Sequence, residues 1–193
     1  MAQDQVSGTT TAGGARRSTF SKVWPAALGV LVAAGTMYGL ADARDVAPVL
    51  AASGFVYLAA AALGRPGAAW PAFGVTFVLI GAAKLTDLDP VPWMLGLAVV
   101  LAVVGLVAGR GRPAWSLPLQ AAAMLVLAAA ALLAVRADPT VGGLVVAVGL
   151  LAHAGWDLYH HRTRRVVSLT LAEFCMVLDV LLAVLLGVLV LTA

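Results

Sequence analysis

Residues 153 to 165 read HAGWDLYHHRTRR, and they hold all three histidines of the chain, His153, His160 and His161. Around them stand Asp157 and the arginines Arg162, Arg164 and Arg165. Imidazole and carboxylate are ligands for zinc, iron or manganese, and on a helix they serve best from one face. At about 100° per residue, taking His153 as zero, Asp157 falls near 40°, His160 near −20° and His161 near 80°. All four therefore fit one stripe. His153 and Asp157, four apart, form a first ligand pair, and His160 or His161 supplies a third ligand.

Two further acids follow in the next apolar run, Glu173 and Asp179. They are the candidate catalytic acids. Glu173 can serve as fourth ligand or general base. On a wheel the two point about 120° apart, so only one can face the histidine stripe squarely. The other turns toward another helix, such as those carrying Gln120 or Tyr57. A second reading uses the same groups without a metal: a carboxylate beside imidazoles relays protons, and Asp157, Glu173 and Asp179 become the charge sites of a carrier. A third reading needs no chemistry. His160, His161 and the three arginines mark the basic end of a membrane helix, where they meet anionic lipid headgroups.

The surroundings decide the setting. The chain is 62% hydrophobic and 11% charged over 193 residues, with a mean hydropathy of +1.01. A water-facing domain carries about 25% charged residues, so lipid must be the solvent for most of this surface. The single cysteine, Cys175, excludes an internal disulfide and a CxxC site. The basic residues are spread along the chain, which excludes a nucleic-acid footprint.

Seven apolar runs reach the roughly 20 residues that a bilayer requires. They are Trp24–Leu40, Val46–Leu63, Ala68–Leu85, Val91–Ala108, Ala114–Val135, Thr140–Tyr159 and Leu169–Thr192. Turn clusters such as GRPG, TDLDP and RADP separate them. The expected fold class is all-α, a polytopic integral membrane protein with seven transmembrane helices. Residues 1–22, polar and rich in Gly and Thr, are expected to form a disordered cytoplasmic tail, and 23–193 the membrane domain. Arg16 and Arg17 before an apolar run, with ADA at 41–43, have the look of a signal peptide. Six more apolar runs argue against cleavage.

Nine Lys and Arg residues fall on the N-terminal tail and alternate loops (Arg16, Arg17, Lys22, Arg65, Arg110, Arg112, Arg162, Arg164, Arg165), against three on the others (Arg44, Lys84, Arg136). The positive-inside rule then puts the N-terminus in the cytoplasm and the C-terminus outside. Lys84 is expected to snorkel or to pair with Asp87 or Asp89. Ten arginines to two lysines fit a GC-rich bacterial genome, so the expected location is a bacterial cytoplasmic membrane.

The stretch HAGWDLYHH resembles the histidine boxes of membrane di-iron desaturases and hydroxylases, which implies iron. The resemblance covers those nine residues alone, and that family uses more histidines than this chain contains. The seven-span layout with an H-x3 pair near the inner face is similar to the alkaline ceramidase and adiponectin-type receptor superfamily. That implies zinc held by histidines, an Asp and a Ser on different helices; here the pair's second position is Asp157, and all the histidines share one helix. Microbial rhodopsins share the span count but require a retinal lysine in the last span and the opposite orientation.

The function expected is that of a small metal-dependent, hydrolase-like membrane enzyme, with one divalent ion, zinc, activating water against a lipid or other membrane-dissolved substrate. The alternatives are a proton-coupled carrier and a non-catalytic membrane partner protein.

Overall fold

The computed structural model describes residues 19–86 and 88–192. Most of the expected tail, and Asp87, lie outside them. Among the described residues there is no strand. Seven helices follow one another: α1 (Thr19–Met37), α2 (Ala47–Leu63), α3 (Ala69–Ala83), α4 (Pro90–Val107), α5 (Leu117–Ala134), α6 (Pro139–Thr163) and α7 (Leu169–Thr192). Short 3-10 turns at Ala43–Val46 and Pro66–Ala68 lead into α2 and α3.

Six of these elements are long and apolar enough to cross a membrane, and α1 carries a shorter apolar stretch, Val23–Met37, among the described residues. Six of the seven expected spans are therefore matched by length and composition. The expected first span ran to Leu40, but the helix stops at Met37 and Gly39 turns the chain with φ +70°. α6 errs the other way. It continues past Tyr159 for another turn to Thr163, then ends at Arg164 with φ 54°.

The acids of the loops cap helices. The Asp89 carboxylate accepts from the Val91 N–H, and that of Asp138 from Thr140 and Val141. Each is followed by proline at the first helical position, where a missing N–H costs nothing. Asp42 caps the 3-10 turn and also grips Arg44, with Nη2 donating at 2.6 Å. Arg44 Nη1 donates onward to the Ala137 carbonyl at 3.0 Å, which ties the α1–α2 connection to the α5–α6 connection. At the other end, Arg165 lies 4.8 Å over the Trp115 ring. The connections therefore gather into two groups at opposite ends of the bundle.

Hydrogen bonds from the Arg44 side chain and backbone hold the Asp42 carboxyl below its ordinary 3.8. A depressed acid contributes stability above its unfolded value and loses it as pH falls through the folded one. The thermal unfolding midpoints of the wild type and Asp42→Asn should therefore differ at neutral pH, begin to approach each other below about 3.8, and converge only as the pH falls through the lowered folded value.

α2 is the centre of the bundle. Fourteen of its seventeen residues are buried, against three in α3. It packs on α3, α4 and α5, while α7 lies against α6 and α1. Small side chains allow this on every side of α2, in the run AASGFVYLAAAA. α6 and α7 pack along much of their length, and that contact brings their polar residues together.

Candidate metal centre

The α6 stripe faces inward. His153, Asp157 and His160 are all buried, with Asp157 wholly so. His161, at the edge of the calculated arc, is half-buried. From α7 it is Asp179 that turns to meet the stripe, and Glu173 stays half-buried elsewhere on the helix. The wheel required that only one of these acids face α6, and the packing selects the deeper one.

The meeting point is His153. Its Nδ1 stands 2.7 Å from Asp179 Oδ2 and 3.4 Å from Asp157 Oδ2. One donor atom from each of the three residues lies within 4.8 Å of the others. Ligands bound at about 2.0–2.2 Å around one tetrahedral ion stand roughly 3–3.5 Å apart. The two histidine–carboxylate distances are close to that spacing. The buried group His153, Asp157 and Asp179 can therefore hold a metal ion.

Charge and hydrogen bonding agree. The group holds two carboxyls and one imidazole, and among the described residues neither carboxyl has an ion pair with a lysine or arginine. A divalent cation would offset the charge of the ionised carboxylates. His153 Nε2, Asp157 Oδ2 and Asp179 Oδ1 have no hydrogen-bond partner although they are buried. Orphaned buried polar atoms are rare and call for a missing partner.

Tyr57 of α2 completes the group. Its hydroxyl donates to Asp157 Oδ1 at 2.6 Å, fixing that carboxylate from behind. Such an outer hydrogen bond orients a ligand and tunes it. The Tyr57 ring meets His153 edge-on at 5.3 Å and His160 at 4.9 Å, so it stands against both.

His160 belongs to a different network. Its Nδ1 faces the Trp156 carbonyl at 3.0 Å, so Nδ1 must carry the proton and donate. Its Nε2 then accepts from Gln120 Nε2 at 3.4 Å. The same amide nitrogen donates to the Trp115 carbonyl at 3.1 Å, and Gln120 Oε1 accepts from Trp156 Nε1 at 3.3 Å. One assignment of tautomer and amide satisfies every contact. His160 thus ties α6 to α5 with both nitrogens engaged. The third donor beside His153 and Asp157 is Asp179, expected from the sequence as a catalytic acid, and neither His160 nor His161 joins the group.

From the sequence, Tyr57 and Gln120 are expected only as neighbours toward which an acid of α7 could turn. A signal was present: Gln120 is the one glutamine within the apolar runs, and Tyr57 the one hydroxyl-bearing aromatic in an Ala-rich helix. Arg162, Arg164 and Arg165 are exposed beyond the end of the stripe. Comparison with protein-family models, curated proteins and solved structures gives no match.

Proposed function

We propose that this protein is a metal-dependent membrane enzyme whose centre is His153, Asp157 and Asp179. The observation that carries the reading is the convergence of three buried donors from two helices, with orphaned atoms on each. Three protein ligands and an open position are the pattern of a catalytic zinc site rather than a structural one. When bound, the ion supplies an activated water and a Lewis acid for a hydrolytic reaction. The chain's own residues do the rest. His153 and the two aspartates hold the ion; Tyr57 fixes Asp157; the apolar walls of α2 and α7 keep bulk water away. The substrate is a lipid or another membrane-dissolved molecule, since the group is buried among helices built for lipid.

The charge distribution supports an N-terminus in the cytoplasm of a cell membrane. In that orientation Arg162, Arg164 and Arg165 meet anionic lipid headgroups on the inner face.

The deciding experiment is elemental analysis of protein purified without added chelator. About one zinc per chain is expected, reduced by at least tenfold in His153→Ala, because losing a direct ligand costs more than the 10- to 100-fold loss typical of outer-shell partners. Wild-type protein that holds no stoichiometric metal after loading sinks the proposal. The 2.7 Å contact between His153 and Asp179 would then stand as a proton-sharing pair. In that case the carrier reading takes over, with Asp179→Asn abolishing uptake.

A further inference from the structure

A recess of about 320 Å³ opens between α5 and α6, with Gly54 and Tyr57 of α2 at its floor. Its size lies within the ~300–1,000 Å³ of small-molecule sites. Its rim residues, Ala122, Val126 and Ala152, are exposed on the outside of the bundle, on faces that lipid would cover. The recess is therefore entered sideways from the bilayer rather than along the bundle axis.

Three polar side chains reach its wall, and two are already committed. The Tyr57 hydroxyl is held by Asp157, and Trp156 Nε1 by Gln120. The third is His153, whose Nδ1 edge is turned to the carboxylates. His153 also lines the recess, and its other ring nitrogen, Nε2, is buried and has no hydrogen-bond partner. The recess thus has apolar walls, with one unsatisfied hydrogen-bonding atom on a side chain that lines it and that also belongs to the His153, Asp157 and Asp179 group.

We infer that this recess binds a single-chain amphiphile from the bilayer, its chain along α5 and its one polar terminus hydrogen-bonded to His153 Nε2. This deepens the enzyme reading by naming a substrate class, and its consequence for catalysis rests on that reading. With a metal on Nδ1, Nε2 carries a proton and donates, so the terminus must accept, as a carbonyl or hydroxyl oxygen does. Without a metal, Nδ1 donates to Asp179, and Nε2 accepts if the ring is neutral or donates if it is an imidazolium. Only a hydroxyl satisfies both roles, so a long-chain alcohol is the probe that reports binding whether or not metal is present.

The test uses the full chain in lipid nanodiscs, labelled with a diazirine-bearing hexadecanol and mapped by mass spectrometry. Label is expected on Ala122, Ala123, Val126 and Ala152. Ala123→Phe fills the recess and should remove the label while leaving the zinc content unchanged. Unlabelled hexadecanol should compete about fivefold better than hexadecane, the worth of one neutral hydrogen bond. Equal competition by the two, or label spread evenly over the outer faces of α3 and α4, overturns the inference. If Ala123→Phe does not fold, the competition ratio decides alone. Labelling with the expected competition in a protein that never holds metal retains the site and removes the enzyme reading. Metal without recess labelling does the reverse.

Discussion

His153→Leu is expected to lower the stability of the metal-free protein by about 3–5 kcal/mol, the usual result of stripping one partner from a buried charged group. The reason is local. Asp157 and Asp179 are both buried, and among the described residues each finds its ion pair in His153 alone. Leucine has a similar volume, so the loss is electrostatic rather than a packing defect. The contrast is the fourfold variant Tyr57→Phe, His153→Leu, Asp157→Leu, Asp179→Leu. It removes every member of the group, and apolar replacement of a whole buried ionic cluster is often neutral or stabilising. It should recover most of the lost stability and bind no metal. Thermal unfolding in detergent, with chelator present, reads both. A neutral single variant would mean that the two carboxylates do not depend on His153, and the cluster would lose its meaning. A destabilised fourfold variant would make the group a structural element instead of one retained for chemistry.

Much of this architecture was legible in the sequence, for reasons that can be traced to residues. Apolar length placed six spans, because helices in lipid must satisfy their own backbone. The turn clusters TDLDP and RADP marked two boundaries, and the structure makes their Asp-Pro pairs at 89–90 and 138–139 the cap and first position of α4 and α6. The stripe was legible because helical spacing alone puts His153, Asp157 and His160 on one face. Three things were not. Hydropathy carries the first span through to Leu40, since it does not register the turn at Gly39. The central place of α2 was invisible because its surface is uniformly small and apolar, leaving no polar face to orient it. The separation of His160 from the metal group was also hidden. It depends on Gln120 arriving from α5 and on a backbone carbonyl, neither of which periodicity within α6 can report. Asp179 was ambiguous for the same reason: the wheel showed that one acid of α7 must face α6, and only the packing of the two helices chose between them.

The second large effect lies at the floor of the recess. A Cβ on Gly54 would stand 2.8 Å from Met124 Cα and 3.0 Å from Met124 Sδ. The nearer atom is backbone, so no side-chain rotation relieves the clash, and α2 must move away from α5. Gly54→Leu is therefore expected to destabilise by about 1–3 kcal/mol or more, the range for overpacking a close-packed interior. The control is Gly74→Leu in α3, where a Cβ meets nothing within 4 Å. It should be neutral or slightly stabilising, since glycine costs a helix interior about 1 kcal/mol. The displacement at Gly54 reaches the metal group as well. Tyr57 is one turn further along α2, and its hydroxyl holds Asp157 at 2.6 Å. Pushing α2 outward lengthens that bond before it breaks any metal ligand. If the group holds zinc as proposed, its affinity in folded Gly54→Leu should fall in the 10- to 100-fold range of an outer-shell loss, and Tyr57→Phe alone should reproduce that drop without the loss of stability. If Gly54→Leu unfolds no more readily than Gly74→Leu, the close approach of α2 and α5 is wrong. If it is destabilised yet binds zinc like wild type, the approach is right and Tyr57 does not govern the ligand. Separating the two variants thus divides packing from positioning at a single hydrogen bond.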